Sequence, residues 1–211
     1  MIKAIFWDND GVLVDTEGIF FRANQEILAG LGISLRWEQF EEISLGRGES
    51  VIRLAANPGT DTFEKLRRDR DAVYADLLTR KPLVIDGVRE ALDALKGKYV
   101  MGIVTSSGHK HFEIIHRQSG LLPYFQFVLT MKDCPQTKPH PGPYLKAIEL
   151  SDFPSDECLV IEDSPRGLAA ATSAGLKCIV IPSNFTRGRD FAGACNVLDS
   201  IKDIPSVLKE F

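Results

Sequence analysis

Short apolar runs alternate with amphipathic stretches along much of the chain. Runs rich in Val, Ile and aromatic residues fall near 2–8, 98–105, 125–130, 157–162 and 176–181, with a weaker one near 195–198. Each has the length of a strand and is apolar at successive positions, as strands buried on both faces are. Helical periodicity occupies the intervals near 87–96, 109–118, 142–150, 165–174 and 200–210. Strands alternating with helices predict an α/β fold: a Rossmann-like parallel sheet with helices on both faces. In such a sheet, functional groups gather at the carboxyl ends of the strands, near the point where the strand order switches.

One stretch breaks the alternation. From about 15 to 84 no strand pattern occurs, and amphipathic helices are predicted over 17–30, 37–44, 49–56 and 61–80. Gly30-Leu31-Gly32, Gly46-Arg47-Gly48 and Asn57-Pro58-Gly59 punctuate them. The expected organisation is a catalytic core over 1–14 and 85–211, with a helical domain inserted over 15–84. No internal repeat or low-complexity segment is present.

Composition narrows the classes. The chain has 211 residues, 44% hydrophobic and 26% charged, with a formal net charge of −4. This balance suits a globular protein with a sizeable core. The densest basic stretch, Lys65 to Arg70, is offset by neighbouring acids, so nucleic acid is not an expected partner. No apolar run approaches the roughly 20 residues of a membrane span. Asp8 comes too early for a signal-peptide core, so a cytoplasmic location is expected. Cys134, Cys158, Cys178 and Cys195 form no C-x-x-C pair, and predict neither a disulfide framework nor a zinc site.

The chemistry lies where the apolar runs stop. The first run ends at Asp8-Asn9-Asp10, and the second at Thr105-Ser106-Ser107. The loop after the third holds Thr137-Lys138-Pro139, and the fourth ends at Glu162-Asp163. A parallel sheet would bring all of these to one edge. Converging carboxylates need a counter-charge, and oxygen-only ligands suit Mg²⁺. A lysine and small hydroxyls among them are donors for phosphate oxygens. The residues thus point to phosphoryl chemistry, where positioning and electrostatics supply most of the catalysis.

Residues 8 to 15, D-N-D-G-V-L-V-D, resemble the signature of the haloacid dehalogenase-like superfamily. Thr105, Lys138 and Glu162-Asp163 match its remaining motifs in order. The helical insertion looks like the cap of the branch (subfamily I) that contains β-phosphoglucomutase and phosphoglycolate phosphatase. The resemblance implies a metal-dependent phosphatase acting on a small phosphorylated metabolite, with sugar phosphates among the candidates. It implies Asp8 as the nucleophile that forms an aspartyl-phosphate, and Asp10 as general acid and base. Thr105, Ser106 and Lys138 would hold phosphoryl oxygens. Mg²⁺ would bind Asp8, the backbone carbonyl of Asp10, and Asp163, with Glu162 acting directly or through water. Metal and lysine together are expected to depress the Asp8 pKa. The cap would close to exclude bulk water, and the protein is expected to be a monomer or a weak homodimer.

Other residues carry plainer expectations. Gly46-Arg47-Gly48-Glu49-Ser50 is not a dinucleotide loop, but Arg47 and Ser50 are candidates for substrate contact from the cap. His109 and His111 are expected to be solvated at a helix start, and Arg166 is expected to be solvated. Ser164-Pro165 should start a helix as N-cap and first residue. Asn9 departs from the apolar residue common at this point in the family. Strand alternation should turn its side chain away from the two aspartates, where burial would require a partner. Two other functions fit the same motifs. A β-phosphoglucomutase-like mutase would carry a histidine where Phe20 stands, and a non-catalytic phosphate-binding protein would not need the intact acid set.

Overall fold

The first apolar run forms the middle of the sheet. The computed structural model describes residues 1–211. Strand β1 (Ala4–Trp7) lies between β2 (Val100–Val104) and β4 (Cys158–Glu162), parallel to both. Strand β3 (Phe127–Leu129) lies outside β2, while β5 (Lys177–Val180) and β6 (Asn196–Val197) lie outside β4. All pairings are parallel and the order is β3-β2-β1-β4-β5-β6. The strand order reverses at β1, so the switch point falls where Asp8 follows Trp7. The parallel α/β sheet expected from the apolar runs is therefore present, and its strands are shorter than those runs.

Every residue of β1 and β4 is buried, so both faces of the sheet are covered. Ala4 and Phe6 point to one face, where they pack with Val160, Tyr144, Ala147, Leu168 and Ala171. Tyr144 and Ala147 belong to α6 (Gly142–Ser151), and Leu168 and Ala171 to α7 (Pro165–Ser173). This unpatterned apolar content is what a strand sandwiched between helix layers requires.

The chain divides into two compact units: Met1–Asp15 with Leu83–Phe211, and Thr16–Pro82. It leaves and re-enters the first unit along paired backbone. The Asp15 amide donates to the Leu83 carbonyl (2.8 Å), and the Ile85 amide to the Leu13 carbonyl (3.1 Å).

The second unit is helical. It contains α1 (Glu17–Ala29), a short α2 (Trp37–Phe40) that runs into a π-helical turn (Glu41–Gly46), and α3 (Asp61–Leu78). Leu28, Phe40, Ile43, Ile52, Phe63 and Leu66 form its core, with Phe21 edge-on to Trp37 at 5.0 Å. The helix expected over 49–56 is a single 3₁₀ turn, Val51–Leu54. Gly48, at φ +69°, breaks the helical path just before it, and the Ser50 hydroxyl caps the turn. The helix expected over 200–210 is likewise divided into 3₁₀, α (Ile204–Val207) and 3₁₀ turns, because Pro205 brings no amide hydrogen. No helix is long and apolar enough to cross a membrane.

Candidate active site

The carboxyl ends of β1 and β4 adjoin because their registers match: Trp7 pairs with Ile161, and the Asp8 amide donates to the Ile161 carbonyl at 2.9 Å. Asp8 is thereby set beside Glu162 and Asp163. One carboxylate oxygen from each of these three lies within 4.8 Å of the others, and all three residues are buried.

Lys138 lies at the centre of this group. Its ammonium donates to Asp8 Oδ1 (2.6 Å), Glu162 Oε1 (2.6 Å) and the Val104 carbonyl (2.7 Å). All three protons of the ammonium are thus used on acceptors from three strand ends. Burial opposes the Lys138 charge, but the carboxylates of Asp8 and Glu162 outweigh it and hold its pKa above the usual lysine value. Arg166, expected to be solvated, instead donates to the Lys138 carbonyl and fixes the loop.

Glu162 is held on both oxygens. Tyr144 donates to Oε1 at 2.7 Å, alongside Lys138. The Asp163 amide (3.1 Å) and the Ser164 hydroxyl (3.2 Å) donate to Oε2. Ser164 also caps α7 as expected, accepting from the Gly167 amide. Gly167 has no alternative, because a Cβ there would lie 1.8 Å from the Glu162 carboxyl carbon. Gly11 is constrained in the same way. Its φ is +85°, and a Cβ would fall 2.2 Å from Asp163 Oδ2. Burial and the Glu162 charge push the Tyr144 hydroxyl well above its ordinary pKa, so it remains a donor.

The expected depression of the Asp8 pKa counts on metal and lysine together, and the protein's own groups act the other way. Burial, then repulsion from Glu162, raise it well above the usual carboxylate range, and Lys138 offsets them only in part. Three carboxylates against one ammonium leave two negative charges, the complement of one divalent cation. The all-oxygen donor set fits Mg²⁺, and the Gly11 cradle keeps carbon out of the space beside Asp163.

Asp10 stands apart from the cluster, with three donors on its Oδ2. These are the Ser107 hydroxyl (2.6 Å), the Thr105 hydroxyl (3.2 Å) and the Asn9 amide nitrogen (3.3 Å). Asn9 therefore turns toward Asp10 instead of away from it. Strand alternation did not apply, since β1 ends at Trp7. The Asn9 oxygen faces His116 Nε2 (2.8 Å), a buried residue of α5 (His109–Ser119). The Ser106 hydroxyl is buried and has no protein partner. His109 sits 3.4 Å from Glu113, one turn along α5. In the helical unit, Arg47 pairs with Glu42, and Ser50 accepts from the Ile52 amide.

The family model for haloacid dehalogenase-like hydrolases matches residues 5–181. Among curated proteins, the chain is 29% identical to protein CbbY of Cereibacter sphaeroides, covering 97% of this chain and 94% of that one. It is 28% identical to a phosphoglycolate phosphatase of Nitrosococcus oceani, over 99% and 97%. A solved structure of a CbbY mutant from Rhodobacter sphaeroides, in complex with xylulose-(1,5)-bisphosphate, superposes with a TM-score of 0.82. It is 28% identical and covers 96% of both chains.

Two stability measurements test this account. Lys138→Met strands buried carboxylates without their cation. It should cost about 3–5 kcal/mol, read as a lower denaturant midpoint at unchanged slope. His116 concerns pH. Burial lowers its pKa to about 4, with the Asp10 charge opposing. The unfolded chain takes up this proton below about 6.5, while the fold resists it down to about 4. The His116 contribution is therefore complete above the higher value and is lost as pH falls between the two. At most about 3 kcal/mol is at stake. His116→Phe should flatten the fall of the unfolding midpoint between pH 6.5 and pH 4; an unchanged slope would contradict the assignment.

Proposed function

Because the chain belongs to the haloacid dehalogenase-like hydrolase family, we propose that it is an Mg²⁺-dependent phosphatase that releases phosphate from a small phosphorylated metabolite. The observation that carries this reading is Asp8: a buried carboxylate at the end of the central strand, held at 2.6 Å by a lysine shared with Glu162. A structural ion pair needs no third carboxylate beside it, whereas Asp163 completes an oxygen cluster within 4.8 Å.

Asp8, Asp163 and the backbone carbonyl of Asp10 would hold Mg²⁺. When bound, the cation supplies the positive charge that keeps Asp8 ionised and neutralises the phosphoryl oxygens. The Asp8 oxygen attacks phosphorus and forms an aspartyl-phosphate as the P–O bond to the leaving group breaks. Asp10 gives its proton to that leaving oxygen, then accepts one from the water that attacks the acyl phosphate. Ser106 would hold a phosphoryl oxygen, and Lys138 and Thr105 would each turn a donor from its present acceptor to hold another. The partnerless Ser106 hydroxyl supports its part in this. Glu162, engaged by four donors, orients Lys138.

We assign the helical insertion, residues 15–84, the role of a cap that chooses the ester, with Arg47 and Ser50 as its substrate contacts. Phosphoglycolate, named for a similar phosphatase, and xylulose-(1,5)-bisphosphate, bound in a similar structure, support a search among small phosphorylated acids and sugars. Phe20 supports hydrolysis over mutation of a sugar phosphate. Its ring packs against Tyr74 and under the Arg70 guanidinium (5.1 and 4.6 Å), and it offers no group for proton transfer.

Asp8→Asn should remain folded by circular dichroism yet release phosphate at least about 10³-fold more slowly across a panel of phosphorylated metabolites. Near-normal release would refute the nucleophile. Exhaustive chelation should abolish turnover and added Mg²⁺ restore it; full activity in chelator would remove the cation from the account.

A further inference from the structure

A hydrogen-bonded chain with one fixed direction runs behind the first motif. At its far end the backbone amide of Leu121 donates to Ser119 Oγ at 3.1 Å. Ser119 Oγ lies 2.9 Å from His116 Nδ1. The hydroxyl, also 3.4 Å from the His116 carbonyl, donates its proton to that nitrogen when the ring's own proton is on Nε2. His116 Nε2 then carries the ring's proton and donates to Asn9 Oδ1 at 2.8 Å. The Asn9 amide nitrogen is left to face Asp10 Oδ2 at 3.3 Å. A carboxylate only accepts, so the Asp10 end fixes the Asn9 amide orientation and with it the direction of the whole chain.

The members are buried: Asn9 is 0% exposed, and His116 and Ser119 are 4% exposed. The Phe112 ring packs against the His116 ring at a tilt, with centroids 4.2 Å apart. Buried polar groups are costly, and an apolar pair at positions 9 and 116 would fill the same space without that cost. The chain therefore calls for a role beyond packing.

We propose that Ser119, His116 and Asn9 are positioning residues for Asp10, fixing Oδ2 as its permanent acceptor and Oδ1 as the oxygen that carries the catalytic proton. This rests on the phosphatase reading above. Three donors converge on Oδ2, from Asn9, Ser107 and Thr105, and exceed its two lone pairs. A proton on that atom would have to displace them, so the acid form of Asp10 is protonated on Oδ1. In the first step, the Oδ1–H bond breaks and the proton joins the leaving oxygen as its bond to phosphorus breaks. In the second, water gives a proton to Oδ1 as its oxygen bonds phosphorus and the Asp8–phosphorus bond breaks. Ser107 and Thr105 follow β2, while Asn9 holds the carboxylate from its own loop.

The test compares two esters that differ in their need for an acid: p-nitrophenyl phosphate, with a good leaving group, and phenyl phosphate, with a more basic one. In Asn9→Leu, kcat/KM should fall about 10–100-fold for phenyl phosphate and within about threefold for p-nitrophenyl phosphate. Asn9→Leu strands the His116 donor, so the double variant Asn9→Leu/His116→Phe guards against a folding failure. It removes both polar partners at once, should melt near the wild type, and should show the same ester-selective loss. His116→Gln, which keeps a donor toward Asn9, should recover much of the phenyl phosphate activity relative to His116→Phe. Equal losses on both esters in the stable double variant, with wild-type turnover intact, would overturn the positioning role alone. Wild-type protein that hydrolyses neither ester nor any panel metabolite would overturn the phosphatase reading and this inference with it.

Discussion

A single ammonium joins three ends of the sheet. Lys138 arrives from a loop, yet its donors reach the end of β1 through Asp8, the end of β2 through Val104 and the end of β4 through Glu162. No surface ion pair could serve this purpose, since exposed pairs add little and tolerate drift. Here burial makes the pairing obligatory, because any partner removed leaves a charge without solvent. The surrounding features follow from that demand. Tyr144 and Ser164 fill the remaining valence of Glu162, Arg166 holds the lysine loop, and Gly167 and Gly11 leave room for carboxylates to lie against backbone.

The same arrangement leaves the site electrically unfinished. The lysine cannot balance Asp8, Glu162 and Asp163 together, and burial with the Glu162 charge raises the Asp8 pKa well above the usual carboxylate range. In the proposed phosphatase reading, Asp8 would need added positive charge before it could attack. On that reading, association with a cation and activation of the attacking oxygen would be one event.

Much of this was legible in the sequence, for a physical reason. Strands buried on both faces need unbroken apolar runs, so the sheet announced itself, and so did the charges that end its strands. Asp8, Lys138 and Glu162-Asp163 stood out because they interrupt hydrophobic segments. The supporting residues did not. Tyr144 and His116 lie on amphipathic helices, where periodicity gives a buried face but not the group that face will meet. Asn9 was misdirected by strand alternation, since it lies in the turn that follows β1, where backbone torsions re-aim side chains. The short helices around Gly46-Arg47-Gly48 were overextended, because an apolar rhythm continues across glycines that the backbone path does not.

The position of β1 bears on how the molecule is made. Its two neighbours are encoded far downstream, since Ala4 pairs with Val100 and with Cys158. The helical unit, by contrast, is one continuous stretch, Thr16–Pro82. On a ribosome, the insertion can assemble while the strand ahead of it is still an unpaired, wholly apolar ribbon. The nascent chain must shelter that ribbon until β2 emerges, and its second edge until β4 does, because long-range parallel pairing cannot begin earlier. The residue that would attack phosphorus thus waits on partners encoded far downstream of it, Lys138 and the end of β4 among them.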